Sequence, residues 1–231
     1  MKDQFFGDFG DYQKFSLLKT LRDRGNFKIC IHWMKTKNDD TKHGNRISYL
    51  NEPQIWDSFN KDIFHFIKGH IDRRERCLAL YEKSTHADGI HFINDYIENT
   101  DTRNRLLDKI RHDKKSDLIF FDPDNGIEVK SATNKNMHKY VRWEEIKKVF
   151  ALGKNILIYQ CFPREKRDVF IERKLKEIQE HFPTAVFAVK VKHSVYFLIT
   201  QKRYIERVQR ILENYSNRWK PENCTVKPST K

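Results

Sequence analysis

The sequence predicts an α/β protein with a Rossmann-like, three-layer α/β/α architecture, a mostly parallel sheet and an antiparallel C-terminal hairpin. Helical patterns alternate along the chain with short apolar runs, as in parallel sheets covered by helices on both faces. Two of these runs, residues 117–122 and 154–159, are too short for helices. Two β-rich runs, residues 185–191 and 194–200, are separated by only two residues, which is hairpin spacing.

The other elements follow from hydrophobic spacing and turn signals. Apolar residues at helical spacing predict helices, in chain order, over residues 11–24, 55–71, 102–112, 143–152, 166–181 and 202–215. Alternating or apolar runs predict two further strands, at residues 27–33 and 77–81. The polar stretch at residues 35–51 has no period that could bury a face, so it is predicted to be a long loop.

Length and cysteine content limit the organisation of the chain. A chain of 231 residues is long enough for one well-buried core, and we predict a single domain over residues 1–219 with a polar tail at 220–231. The four cysteines are widely separated and form no Cys-x-x-Cys pair, which argues against a zinc ribbon or a redox dithiol.

The charge balance predicts a polyanionic partner. Lys and Arg number 45 against 32 Asp and Glu, a formal net charge of +13. We therefore expect nucleic acid, DNA first and RNA as the related alternative, although a solvated basic surface has the same composition. No apolar run approaches the roughly 18 residues of a membrane-spanning helix, and the N-terminus has no secretion-signal pattern, so a cytoplasmic protein without a membrane partner is expected.

The segment Asp122-Pro123-Asp124-Asn125-Gly126 is the main candidate for catalysis. It follows the most apolar predicted strand, and ligands in open α/β sheets bind beyond the carboxyl ends of the strands. Asp122, Asp124 and Asn125 are the predicted catalytic residues: one carboxylate activates water, the other stabilises a cation, and the amide contacts a base edge. The same residues also suit an ordinary turn.

Substrate-binding residues are predicted in three further segments. Before and in the first helix, acids, an aromatic and a lysine could contact a base and a phosphate, or could simply cap and pack the helix. After the strand ending at residue 159, a hydroxyl, an amide and a guanidinium come to the same edge, and a histidine lies in the hairpin turn. The candidates are Asp8, Asp11, Tyr12, Lys14, Tyr159, Gln160, Arg164 and His193.

The chain resembles an uncharacterised bacterial Rossmann-like family through its opening Gly-Asp-x-x-Asp-Tyr-x-Lys element and its Asp-Pro-Asp-Asn-Gly motif. The motif is also similar to the Asp-Pro-Pro-Tyr segment of amino-methyltransferases, although residues 32–37 lack the glycines of their cofactor turn. It further resembles the water-activating Asp-Pro of uracil-DNA glycosylase-like enzymes, a similarity that implies that Asp122 activates water and Asn125 lies in the base pocket. In that comparison His193 belongs to a loop that lacks the expected proline.

These observations favour a DNA-acting hydrolase, and specifically a DNA glycosylase in base repair or phage defence that needs no cofactor or metal. A Mg²⁺-dependent endonuclease using Asp122 and Asp124, with Glu128 or Asp8, is the main alternative. A degenerate methyltransferase and a non-enzymatic nucleic-acid-binding protein are the others. No histidine pair has metal-ligand spacing on a predicted helix, and we predict no metal site apart from the nuclease alternative.

Overall fold

The computed structural model describes residues 1–38 and 44–229. The strands in this part of the chain are β1 Ile29–His32, β2 His91–Ile93, β3 Leu118–Phe121, β4 Gly126–Ile127, β5 Tyr140–Val141, β6 Asn155–Cys161, β7 Val186–Val191, β8 Ser194–Ile199 and β9 Cys224–Pro228. The α-helices there are α1 Phe9–Asp23, α2 Pro53–Trp56, α3 Lys61–Asp72, α4 Leu78–Glu82, α5 Thr100–His112, α6 Trp143–Ala151, α7 Arg167–His181 and α8 Ile205–Ser216.

The main sheet has seven strands within the described residues, in the order β2-β1-β3-β6-β8-β7-β9. Strands β2, β1, β3 and β6 pair in parallel, whereas β8 is antiparallel to both β6 and β7, and β9 is antiparallel to β7. Strand β7 therefore runs in the same direction as β6. The predicted mostly parallel sheet with an antiparallel C-terminal hairpin is confirmed.

Helices cover both faces of this sheet, because its strands bury side chains on both sides. In β3, Leu118 and Phe120 belong to the core that contains residues of α1 and α8. Their neighbours Ile119 and Phe121 belong to the opposite core, with residues of α5, α6 and α7. Alternate side chains of a strand point to opposite faces, so this division places the sheet between two helical layers and confirms the three-layer architecture.

The predicted strand at residues 77–81 is wrong, because this segment forms α4. Leu78 and Tyr81 are both buried and lie three residues apart, on the same face of a helix. A five-residue apolar run does not distinguish one buried helical turn from a strand. The strand at this edge of the sheet is instead β2, in which His91 is exposed, Phe92 is half-buried and Ile93 is buried, so the segment lacks a strong apolar pattern.

Two other predicted boundaries differ from the structure. The helix expected over residues 55–71 is divided into α2 and α3, because Asn60 interrupts it and caps α3 by accepting a hydrogen bond from the backbone N–H of Ile63 at 3.4 Å. The C-terminal segment is not only a polar tail, since β9 adds a strand next to β7.

Residues 39–43 of the predicted loop and the last two residues of the predicted tail lie outside the described residues. Within the described ranges, no helix is long and apolar enough to cross a membrane.

Candidate active site

A cavity of about 800 Å³ lies at the carboxyl end of β3. The start of α1, the end of β6 and the start of β8 form its other walls. Its volume is within the range of roughly 300–1,000 Å³ that is typical of small-molecule sites. Its lining residues are Met1, Lys2, Phe5, Asp8, Gly10, Asp11, Lys14, Gly44, Asn45, Arg46, Asp122, Pro123, Asp124, Asn125, Lys139, Tyr159, Cys161, Phe162, His193 and Ser194.

The floor of the cavity is a buried charge cluster centred on Lys14. The Lys14 ammonium donates hydrogen bonds to Asp11 Oδ1 at 2.9 Å and to Asp122 Oδ2 at 2.7 Å. All three side chains are at least 96% buried. Asp122 lines the cavity, although its side chain is only 1% exposed. Asp122 therefore has one oxygen fixed by an ammonium, and its carboxylate borders the cavity.

The first turn of α1 places the acids and the lysine together. Asp8 caps the helix, and its Oδ1 accepts a hydrogen bond from the backbone N–H of Asp11 at 3.0 Å. Asp11 and Lys14 are three residues apart, so they lie on the same helical face. The second Asp11 oxygen accepts a hydrogen bond from the Gly7 N–H at 3.2 Å. Both Asp11 oxygens are thus occupied.

Burial makes the acids of this first turn weaker than ordinary aspartates. It raises the pKa of Asp8, although hydrogen bonds from backbone N–H groups and the charge of Lys14 act in the opposite direction. Burial likewise raises the pKa of Asp11, against the influence of Lys14. Both carboxyls therefore keep a proton to higher pH than isolated aspartates would. Both Asp11 oxygens accept hydrogen bonds, whereas the Asp11 N–H is held by Oδ1 of Asp8, so Oδ2 of Asp8 can carry a proton.

Asp124 lies on the same loop but is held by two donors. Its Oδ1 is 2.9 Å from the Met1 amino group, and its Oδ2 accepts a hydrogen bond from the Thr36 hydroxyl at 2.8 Å. Burial alone would raise the pKa of Asp124, but the Met1 charge and these hydrogen bonds lower it below the ordinary value. Asp124 therefore fixes the loop rather than offering a free oxygen to the cavity.

The loop after β3 is also fixed from β6. The Gln160 amide donates to the Asn125 carbonyl at 2.8 Å and accepts from the Ile127 N–H at 2.9 Å. Gly126 has a φ of +117°, and a Cβ atom there would lie 2.2 Å from Gln160 Oε1. Only glycine combines this backbone conformation with so close an approach. The glycine of the motif thus permits Gln160 to hold the loop.

Asn125 keeps its carboxamide available. Its backbone N–H donates to the Lys139 carbonyl at 2.9 Å, which orders the main chain. Its side chain lines the cavity and has no hydrogen-bond partner among the described residues. A carboxamide offers both a donor and an acceptor, so Asn125 can bind the edge of a base.

A cationic rim, defined here as Arg46, Lys139, Arg167 and Lys192, surrounds the mouth of the cavity. Arg46 and Lys139 line the cavity itself, and the Arg167 guanidinium lies 5.2 Å from the centre of the Phe162 ring. Burial and the nearby positive charges of Arg46, Lys192 and Arg167 lower the pKa of His193 to about 4. The His193 imidazole is therefore neutral at pH 7, and it faces the cavity as a hydrogen-bonding group.

Two of the cationic side chains of α7 form ion pairs with acids. Arg173 pairs with Glu165 at 2.8 Å and Lys174 pairs with Glu177 at 2.6 Å. These pairs compensate charges along the helix. Of the α7 residues, Arg167 belongs to the cationic rim.

The structure brings together most of the predicted site residues. Three predicted binding residues do not face the cavity: Tyr12 is fully buried among aromatic rings, Gln160 holds the loop, and Arg164 is not among the lining residues. The sequence prediction missed Arg46, Lys139 and the aromatic walls Phe5 and Phe162. The sequence does contain a signal that Lys14 is buried. Lys14 and Asp11 lie on the same helical face as the apolar residues Phe15 and Leu18, and such a face packs against the core and does not bind phosphate at the surface.

Comparisons with known proteins give distant structural similarity alone. No family model and no curated protein matches the chain. Among solved structures, the chain is similar to protein LPL1258 from Legionella pneumophila str. Philadelphia 1, which belongs to the family named DUF519. The identity is 13%, 97% of each chain is covered, and the TM-score is 0.44. The function therefore has to be argued from the site itself.

Proposed function

We propose that the protein is a DNA-acting hydrolase, a DNA glycosylase that removes a base by attack of a water molecule activated by Asp122. The observation that carries the proposal is the buried cluster in which Lys14 fixes one oxygen of Asp122 at the floor of a cavity of about 800 Å³. A carboxylate held in this way is oriented to accept a proton from water.

The acids of the site have environments that suit two different roles. Asp122 lies beside an ammonium, which compensates its negative charge, and it serves as the base. Asp8 has a raised pKa, and it serves as the acid. Glycoside hydrolysis typically uses one carboxylate as the base and one carboxylic acid as the proton donor. Asp124 positions the loop.

The proposed reaction is a hydrolysis of the N-glycosidic bond. The water oxygen attacks the anomeric sugar carbon, and Asp122 accepts the water proton. The carbon–nitrogen bond breaks, its electron pair goes to the base, and Asp8 donates a proton to that nitrogen. The negative charges at the cavity floor stabilise the cation that develops on the sugar.

Lys14 does not act as a nucleophile in this scheme. Burial alone would lower the pKa of Lys14, but the Asp11 and Asp122 carboxylates raise it well above its ordinary value. An ammonium cannot form a Schiff base with the sugar. The expected product is therefore an abasic site in an intact strand.

The same ammonium bears on the endonuclease alternative. Both main metal ligands of that alternative already contact a cation: Asp122 accepts a hydrogen bond from Lys14 at 2.7 Å, and Asp124 lies 2.9 Å from the Met1 amino group. Binding a metal there requires displacement of Lys14. The cluster as it stands therefore supports hydrolysis in which the Lys14 ammonium, and not a metal ion, orients Asp122.

The turn after β1 does not fit S-adenosylmethionine. The cofactor approaches a backbone closely only where small residues leave space, yet this turn contains Trp33 and Met34, both at most 1% exposed. Their side chains pack in the two hydrophobic cores, and the turn has no glycine. We therefore derive no methyl transfer from this site.

Substrate recognition is assigned to the cavity walls and the cationic rim. A base turned out of the duplex would contact the Asn125 amide and the rings of Phe5 and Phe162, which line the cavity. Arg46 and Lys139 would bind the flanking phosphates. Excision of damaged or modified bases suits either base repair or defence against phage DNA.

The proposal is tested by incubating the purified protein with duplex DNA, plain and base-modified, in Mg²⁺ or in excess EDTA. Products are separated with and without hot-alkali treatment. Strand breaks that need alkali and persist in EDTA are the expected result. Direct breaks abolished by EDTA would instead identify a metal nuclease, and binding without any product would identify a non-enzymatic DNA-binding protein.

A further inference from the structure

A second group of reactive side chains lies at the opposite, amino-terminal edge of the parallel strands. It consists of Cys30 on β1, His91 on β2 and Asp113 directly after α5. One ligand atom from each lies within 4.8 Å of the other two. Cys30 and His91 are register partners on adjacent parallel strands, so their side chains point to the same face of the sheet.

We infer that Cys30 Sγ, His91 Nδ1 and Asp113 Oδ2 form a binding site for a transition-metal ion of the Zn²⁺ class, completed by water. A thiolate, an imidazole and a carboxylate are all common zinc ligands, and the thiolate favours Zn²⁺ over Mg²⁺ or Ca²⁺. The inference does not depend on the proposed function, because the residues lie outside the cavity.

The distances are close to those of a bound ion. With metal–ligand bonds of roughly 2.0–2.3 Å, neighbouring ligands of a tetrahedral site lie about 3.3–3.8 Å apart. His91 Nδ1 and Asp113 Oδ2 are already 3.2 Å apart. The side chain of His91 is 55% exposed, so it can rotate to close the remaining distance to Cys30. The same exposure leaves one side open to a water ligand.

Asp113 is held in place by its surroundings. Its other oxygen, Oδ1, accepts hydrogen bonds from the backbone N–H groups of Lys115 at 2.9 Å and Ser116 at 3.1 Å. The Lys154 ammonium donates to the Asp113 carbonyl at 2.7 Å. These contacts orient the carboxylate and leave Oδ2 for the ion, as outer contacts do in known metal sites.

A metal ion there would join three segments that are far apart in the sequence. Strand β2 has three residues and pairs with β1 within the described part of the chain. The ion would tie β2 to β1 and to the connection between α5 and β3. It would therefore stabilise this edge of the sheet, and the Cys30 thiol would lose its proton on binding.

The test is a titration of the full-length, metal-free protein with Co²⁺, which reports a thiolate ligand through its sulfur-to-cobalt absorption. We expect one Co²⁺ per chain with this absorption, and its loss when Zn²⁺ is added. His91→Gln should weaken binding by at least about tenfold. His91 is exposed, so this variant is expected to fold; Cys30→Ser should remove the thiolate band.

Cys77→Ser is the matched control, because Cys77 is a free cysteine outside this group. It should bind Co²⁺ like the wild type. The inference is overturned if the wild type shows no thiolate band, if His91→Gln binds as tightly as the wild type, or if Cys77→Ser loses the band.

Discussion

The two ends of the parallel strands carry charged groups that are organised in opposite ways. At the carboxyl end, Lys14 lies between Asp11 and Asp122, and the cluster contains its own cation within a buried floor. At the amino end, Cys30 and Asp113 meet an exposed His91, and no lysine or arginine within the described residues forms an ion pair with Asp113 there. The Lys14 cluster therefore has an internal counter-ion for its carboxylates, whereas Asp113 within the described residues has only the partly exposed His91.

The largest stability effect is expected when the internal cation is removed. Lys14→Met leaves two buried carboxylates without their partner and should lower the free energy of unfolding by about 3–5 kcal/mol. The matched variant at the amino end is Lys154→Met, because buried Lys154 donates to the carbonyls of Asp113 and Ser116 and not to carboxylates. It should cost about 1–3 kcal/mol. Urea unfolding measures both, and equal losses would contradict the assigned difference.

The buried histidine at the carboxyl end of β1 should make stability depend on pH. Burial lowers the pKa of His32 to about 4, below the 6.5 of an unfolded histidine. As pH falls from 6.5 to 4, the unfolded chain binds a proton that folded His32 does not. The stability present above pH 6.5 is therefore lost toward pH 4, by about 3 kcal/mol.

This prediction is checked by measuring the free energy of unfolding at several pH values for the wild type and His32→Asn. The advantage of the wild type should shrink as pH falls through this window. Parallel curves for the two proteins would show that His32 is not held neutral.

Gly126 and Gly89 both have a left-handed backbone, and substituting each by alanine compares the packing at the carboxyl and amino ends of the parallel strands. Gly126→Ala should cost about 1–3 kcal/mol and displace Gln160, because its Cβ would meet that side chain at 2.2 Å. Gly89, which precedes β2, has a φ of +75° but no atom within 4 Å of an added Cβ. Gly89→Ala should therefore have the smaller effect on the melting temperature. An equal or larger loss in Gly89→Ala would contradict the role given to Gly126.

The smallest effect is expected at the cationic rim. Arg46→Ala should weaken DNA binding and reduce the magnitude of its salt-dependence slope by about 1, since one phosphate contact is lost. Arg111, which is exposed near the amino end and pairs with Asp108, provides the control. Arg111→Ala should leave the slope unchanged. Binding measured across a salt series would contradict the rim assignment if the two variants behaved alike.

Strong local patterns made the central fold predictable. Strand β3 is a continuous apolar run closed by a turn, and the hairpin of β7 and β8 has its spacing in the sequence. Strand β2 was missed because an edge strand of three residues has little apolar periodicity. Strand β9 was missed because its stability comes from pairing with β7. The residues of β9 alone show no pattern that predicts this pairing.

The site was predictable only where its residues are neighbours in the sequence. Asp122, Asp124 and Asn125 were identified because they follow one strand, and all three line the cavity. Arg46 and Lys139 come from distant connections, and the sequence offers no period that links them to the motif. The group of Cys30, His91 and Asp113 was not predicted for the same reason. Its residues are far apart in the sequence and come together through the register of β1 and β2, not through a metal-binding spacing.

The proposed function depends on Asp122 as the residue that activates water for a metal-independent excision of a base. Its most direct test compares wild type, Asp122→Asn and the exposed control Asp95→Asn, in EDTA, on a duplex that the wild type converts to alkali-labile sites. We predict a rate loss of roughly 10²–10⁴-fold in Asp122→Asn alone, with DNA affinity unchanged. Full activity in Asp122→Asn, with the protein folded and DNA bound, would contradict the account.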